Sequence, residues 1–211
     1  SLPEPDAFTM RKGFALFHGI EDNQVVAGNG TTWFIYTIPK ALGSKKVLIC
    51  GPTYSDYKDA CLMHKIDFHH CTAKAENYFN LNIDEISGMA KKADTLFICN
   101  PNNPTGSLIL REQLEYLIKK HENTIFIIDE SYLPFVDQAD QYSLVAKTGY
   151  ENLIVLSSMS KIFRIPGLRT GFLSGTKGLC EKIMAYYQPW SVNALAQAVI
   201  KHIFDYPERI E

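Results

Sequence analysis

The sequence predicts an α/β protein in three layers, with helices packed on both faces of a mostly parallel sheet. Two features predict it. Short apolar runs of strand length alternate along the chain with segments of helical periodicity. The runs are almost continuously apolar, as strands covered on both faces are, instead of alternating apolar with polar residues.

QVVAG (24–28) is a short strand leading into the helical segment TTWFIYTIPKAL. KKVLICG (45–51) is a second strand, followed by YSDYKDACLMHK. HKIDFHHC (64–71) fits a strand at the sheet edge. His69 and His70 would then point to opposite faces, and no Cys-x-x-Cys accompanies them, so no metal site is expected. DTLFICN (94–100) is a buried strand, and in LREQLEYLIKKH after it Leu110, Leu114, Leu117 and Ile118 mark one helical face. TIFIIDE (124–130) and NLIVLSS (152–158) are further strands. TGFLSG is a strand as well, and GLCEKIMAYY and NALAQAVIKHIF follow as helices. With no repeat, low-complexity tract or linker, residues 1–211 read as one compact domain.

Composition narrows the function classes. The 211 residues are 46% hydrophobic and 21% charged, enough apolar material for a core. A net charge of −2 gives no basic excess to displace counterions, which argues against a general nucleic-acid surface. No apolar run has the length of a membrane span, and SLPEPDAFTM lacks a charged-then-apolar leader pattern. Five scattered cysteines, an odd number, suit a reducing, cytoplasmic setting.

In open α/β sheets, ligands bind beyond the carboxyl ends of the strands. The residues falling there are polar or small: GNGTT (28–32), GPTY (51–54), NPNNPTG (100–106), DESY (129–132) and SSMSK (157–161). GNGTT is a strand-to-helix turn whose amides can face an anion. Ser158, Ser160 and Arg169 are further phosphate partners, since the arginine fork donates two parallel hydrogen bonds. Asp129 ends an apolar strand and, if buried, needs a cation, which a protonated ligand nitrogen would provide. Asn103, held between proline-locked turns, and Tyr132 can both donate to one ligand oxygen. Tyr54 can stack on a planar ring. Each feature alone also has a plain structural reading: a tight turn, an ion pair or helix cap, a rigid loop, core packing. Together they ask for a planar heterocycle with a phosphate, a phenolic oxygen, a basic nitrogen and a carbonyl for Lys161. Pyridoxal 5′-phosphate is that molecule.

Taken in order, GNGTT, PTY, NPNNPTG, IIDESYLPF and SSMSKIFRIPGLRTGF resemble the fold-type I, class I/II aminotransferase superfamily over most of the chain. The resemblance implies a type I pyridoxal-phosphate-dependent transferase fold. Lys161 would be the Schiff-base lysine and proton shuttle, and Asp129 would pair with the ring nitrogen. Asn103 and Tyr132 would contact the ring oxygen, with Tyr132 beside Lys161 and Asp129 in the catalytic set. Tyr54 would stack on the ring. Thr31, Thr32, Ser158 and Arg169 would hold the phosphate, with Gly30 in the turn beside it.

Within the superfamily, DESYLPF, SKIFRIPGLR and QPWSVNALAQ are most similar to threonine-phosphate decarboxylases, which act on L-threonine O-3-phosphate in cobalamin biosynthesis. Histidinol-phosphate aminotransferases share NPNNPTG and the GLR arginine. Trp190 and Asn193 are expected either near the substrate or at a helix start. The resemblance also implies a homodimer. Relatives carry a smaller C-terminal domain with a carboxylate-binding arginine, and an aromatic residue before proline where Leu2 stands here. The chain is therefore expected to be the large cofactor domain, active or only cofactor-binding, with apolar surface exposed where a further segment would pack.

Overall fold

The computed structural model of the chain describes residues 2–206. Among them, one sheet is built from β1 (Val25–Asn29), β2 (Lys46–Gly51), β3 (Asp67–Thr72), β4 (Thr95–Cys99), β5 (Ile125–Asp129), β6 (Leu153–Ser158) and β7 (Thr170–Gly175). The order across the sheet is β1-β7-β6-β5-β4-β2-β3. β7 runs antiparallel to both of its neighbours, and the other pairings are parallel. The expected mostly parallel sheet is thus present, and β3, with its two histidines, lies at one edge.

The helices are α1 (Phe8–His18), α2 (Gly30–Ala41), α3 (Asp56–His64), α4 (Ile83–Ala90), α5 (Arg111–Lys120), α6 (Met159–Ile162), α7 (Lys177–Met184) and α8 (Ala194–Asp205). Strand residues divide by parity between two cores, because successive side chains leave opposite faces of a strand. Leu96, Ile98, Phe126, Ile128, Leu153 and Val155 pack with α1, α4, α5 and α8. Phe97, Ile127, Ile154 and Leu156 pack on the other face with α2, α3 and α7. Two helix starts carry asparagine caps: at α4 Asn82 accepts from the Asp84 and Glu85 amides at 2.9 and 3.1 Å, and at α8 Asn193 accepts from Ala196 N at 2.9 Å.

One face assignment is corrected. Leu114, Leu117 and Ile118 are fully buried under α5, but Leu110 is 49% exposed. It stands at the N-cap, before the helix begins, so the helical period that places the other three does not govern it. Leu2, Leu16 and Leu195 are also exposed. No helix among the described residues is long and apolar enough to cross a membrane.

Candidate active site

The crossovers bring the C-terminal ends of β4, β5 and β6 together with the start of α2, and a cavity opens there. Every residue expected from the sequence to bind a cofactor lines it, including Lys161 and Asp129.

At one end sits a cradle for an anion. Gly30 opens α2 with φ +77°, so the amides of Thr31 and Thr32 are at a helix N-terminus. A Cβ on Gly30 would meet Arg169 Nη2 at 2.8 Å, and one on Gly171 would meet Thr31 N at 2.6 Å. Glycine at both places is what lets the guanidinium and β7 close on the helix start. Arg169 Nη2 reaches Thr32 Oγ1 at 3.4 Å, and Nη1 donates to Pro166 O at 3.3 Å. Ser158, at the N-cap of α6, is buried beside them. Ser160 differs from expectation. Its hydroxyl donates to Thr170 O at 3.1 Å and accepts from Thr170 N at 3.2 Å, so it ties α6 to β7 and is not free for a phosphate.

Asp129, 4% exposed, lines the same cavity. Tyr57 Oη donates to its Oδ2 at 2.9 Å and Ser131 N to its Oδ1 at 3.0 Å. Burial raises the proton affinity of this carboxyl, while bonds from Ser131 and Tyr57 and the charge of Lys161 work in the opposite direction. Lys161 Nζ lies 5.7 Å from the centre of the Tyr132 ring and lines the same cavity.

The three asparagines of NPNNPTG divide their work. Asn100 clamps the loop through Ile109, donating to its carbonyl at 3.0 Å and accepting from its amide at 2.7 Å. Asn102 donates to Pro52 O at 2.8 Å and Thr105 Oγ1 at 2.7 Å. Asn103 is the one that faces the cavity. Tyr54 lines the rim, its ring edge-on to Tyr57 at 6.0 Å. Burial, then Asp56, pushes its hydroxyl up to about 12, so it stays neutral.

Sequence reasoning assigned no role to Tyr57, Cys99 and Ser131, which also line the cavity. Helical spacing from Tyr54 could not have found Tyr57, because α3 begins at Asp56, after Tyr54. Cys99 read only as part of an apolar run. Trp190 and Asn193 are not among the cavity residues. Trp190 is 57% exposed with its amide on Pro5 O, while Asn193 caps α8 and donates to Leu168 O.

Comparison with known proteins agrees with this geometry. The family model for aminotransferase class I and II matches residues 3–211. The adenosylcobalamin biosynthesis bifunctional protein of Leptospira interrogans is 34% identical over all of this chain, which covers 25% of that protein. The crystal structure of L-threonine-O-3-phosphate decarboxylase from Porphyromonas gingivalis superposes with a TM-score of 0.86 at 32% identity, over 100% of this chain and 62% of that one. Histidinol-phosphate aminotransferase from Clostridium acetobutylicum gives 0.90 at 26% identity, again over 100% and 62%. The chain spans about half the length of other curated relatives it matches. Members of this family work with pyridoxal 5′-phosphate, and a neighbouring structure from Sinorhizobium meliloti is in complex with it. In its motifs, its sheet topology and its match over nearly its whole length, the chain belongs to the class I and II aminotransferase family.

Proposed function

We propose that this chain forms the pyridoxal 5′-phosphate site of an enzyme acting on a phosphorylated amino acid, and that the reaction is decarboxylation of L-threonine O-3-phosphate in cobalamin biosynthesis. One observation carries the cofactor reading: a lysine, a buried carboxylate and a glycine-cleared anion cradle share a single cavity. The residues present fit that group. A Cβ at position 30 or 171 would intrude on the cradle, and the buried Asp129 carboxylate is hydrogen-bonded by the neutral donors Tyr57 Oη and Ser131 N. When bound, the cofactor supplies an aldehyde for amines and a ring that draws electrons from a substrate Cα.

The chain's own groups have separable tasks. The amides of Thr31 and Thr32, the Ser158 hydroxyl and Arg169 bind and orient the phosphate. Asp129 holds a proton on the ring nitrogen by keeping a negative charge beside it. Asn103 and Tyr132 orient the ring oxygen, and Tyr54 covers one face. Lys161 Nζ carries the proton to and from the substrate carbon. Decarboxylation is preferred because the chain is more identical to the solved decarboxylase from P. gingivalis than to the solved histidinol-phosphate aminotransferase from C. acetobutylicum, 32% against 26%. Transamination of the histidinol-phosphate type would use the same cofactor contacts and is the second reading. The proposal extends to a homodimer, which sedimentation velocity of the loaded chain would check.

The test is to load the chain with pyridoxal phosphate, reduce it with borohydride and map the labelled peptide. A label on Lys161 is expected, and a label elsewhere or none overturns the site. Threonine phosphate labelled at C1 should then release carbon dioxide. Exchange of its amino group with a 2-oxo acid, without carbon dioxide, would overturn the decarboxylase reading in favour of an aminotransferase.

A further inference from the structure

Tyr57 is fully buried, yet it ends in a polar group where its α3 neighbours Ala60 and Cys61 are apolar. Its ring lies flat on Phe97, with centroids 5.0 Å apart and planes 17° apart, and edge-on to Tyr54. These rings flank the phenol, whose hydroxyl donates to Asp129 Oδ2 at 2.9 Å. The register of β4 and β5 sets Cys99 beside Asp129. Burial, then the Asp129 charge, pushes the Cys99 thiol up to about 12, and the protonated sulfur donates to Pro101 O at 3.2 Å. The backbone amide of Asn103 in turn bonds that sulfur. The phenol thus meets both the Asp129 carboxylate, at 2.9 Å, and the Cys99 sulfur, and it stands in a line of buried groups from Asp129 to the Asn103 loop.

We propose that Tyr57 is a positioning residue for Asp129: its hydroxyl fixes the rotation of the carboxylate and stabilises its charged form against burial. The inference rests on reading the cavity as a pyridoxal-phosphate site. Asp129 has two hydrogen-bond donors at normal distance, and Tyr57 is one of them. Deleting it leaves Oδ2 buried with a bond missing, so the charge that holds a protonated ring nitrogen becomes costlier. A hydrogen bond to a charged group has a strength that translates into roughly 10- to 100-fold in affinity.

The experiment compares the full wild-type chain with Tyr57→Phe, each loaded with pyridoxal phosphate or with its analogue carrying carbon in place of the ring nitrogen. In the variant, the dissociation constant for pyridoxal phosphate should rise roughly 10- to 100-fold, and the analogue should bind as it does to wild type. The ¹⁵N resonance of ring-labelled cofactor should report loss of the ring proton at lower pH, while borohydride still labels Lys161. In an Asp129→Asn background, Tyr57→Phe should change cofactor affinity little, which guards against a general folding defect. Equal weakening of both ligands, or of neither, overturns the inference while leaving the site intact. No label on Lys161 of the wild-type chain overturns the cofactor reading, and this inference falls with it.

Discussion

Glu130 follows Asp129 directly and is 4% exposed. Its Oε1 accepts from Leu144 N at 2.6 Å and its Oε2 from Ser143 Oγ at 2.7 Å, pinning the return of the long excursion between β5 and β6. Burial nevertheless outweighs those donors and raises the carboxyl from 4.5 to about 7. A shift of that size corresponds to about 3 kcal/mol of difference between the protonation states. The sign follows from linkage. Between pH 4.5 and about 7 the unfolded chain has released this proton while the folded chain keeps it. The stability it contributes is therefore full below 4.5 and is lost as pH rises through about 7. Glu130→Gln mimics the neutral form permanently, and the Ser143 hydroxyl can turn to accept from the new amide. Urea unfolding of the cofactor-free chain at a series of pH values, followed by Trp33 and Trp190 fluorescence, gives the stability difference between variant and wild type. That difference should move in favour of the variant by about 3 kcal/mol between pH 4.5 and 8. His18, lowered to about 4 by burial, also makes stability pH-dependent, but it is common to both proteins and cancels. A difference that stays constant over this range, or moves the other way, would show that the two donors hold Glu130 ionised and refute the reasoning.

Three further outcomes are expected. Gly171→Ala sets a Cβ 2.6 Å from Thr31 N, so the helix start must shift; inorganic phosphate and pyridoxal phosphate should both bind at least ~10-fold more weakly by titration, with overpacking of about 1–3 kcal/mol seen in urea unfolding. Asn193→Ala removes the cap of α8 and the bond to Leu168 O, lowering stability by about 1 kcal/mol without altering cofactor affinity, since Asn193 is outside the cavity. Asp129→Asn keeps the shape but not the charge, so turnover should fall by orders of magnitude with cofactor still bound; a rate near wild type in a stopped assay would remove Asp129 from its assigned role.

Much of the fold was legible because its signals are local. The apolar runs that become β2, β4, β5 and β6 announce themselves within five or six residues, and the caps and glycines mark where they end. The cavity was legible because the C-terminal ends of parallel strands meet, so the polar residues after those runs had to converge. Leu110 shows the limit of periodicity, which cannot tell a cap from the first turn. The three asparagines of NPNNPTG show another, since nothing local distinguishes the two that brace the loop from Asn103, which faces inward.

By itself, then, the sequence determined the layer architecture, the position of the site at the strand ends and the residues Lys161, Asp129 and Arg169 within it. These depend on patterns a few residues long. Tertiary structure alone decided that β7 runs antiparallel between β1 and β6, that Ser160 serves the backbone of Thr170, and that Tyr57 meets Asp129 across 72 positions of chain. Those outcomes depend on which groups packing leaves within hydrogen-bonding reach of one another. Burial raises the proton affinity of both adjacent carboxyls, Asp129 and Glu130, the latter to about 7, in each case against hydrogen-bond donors that pull the other way.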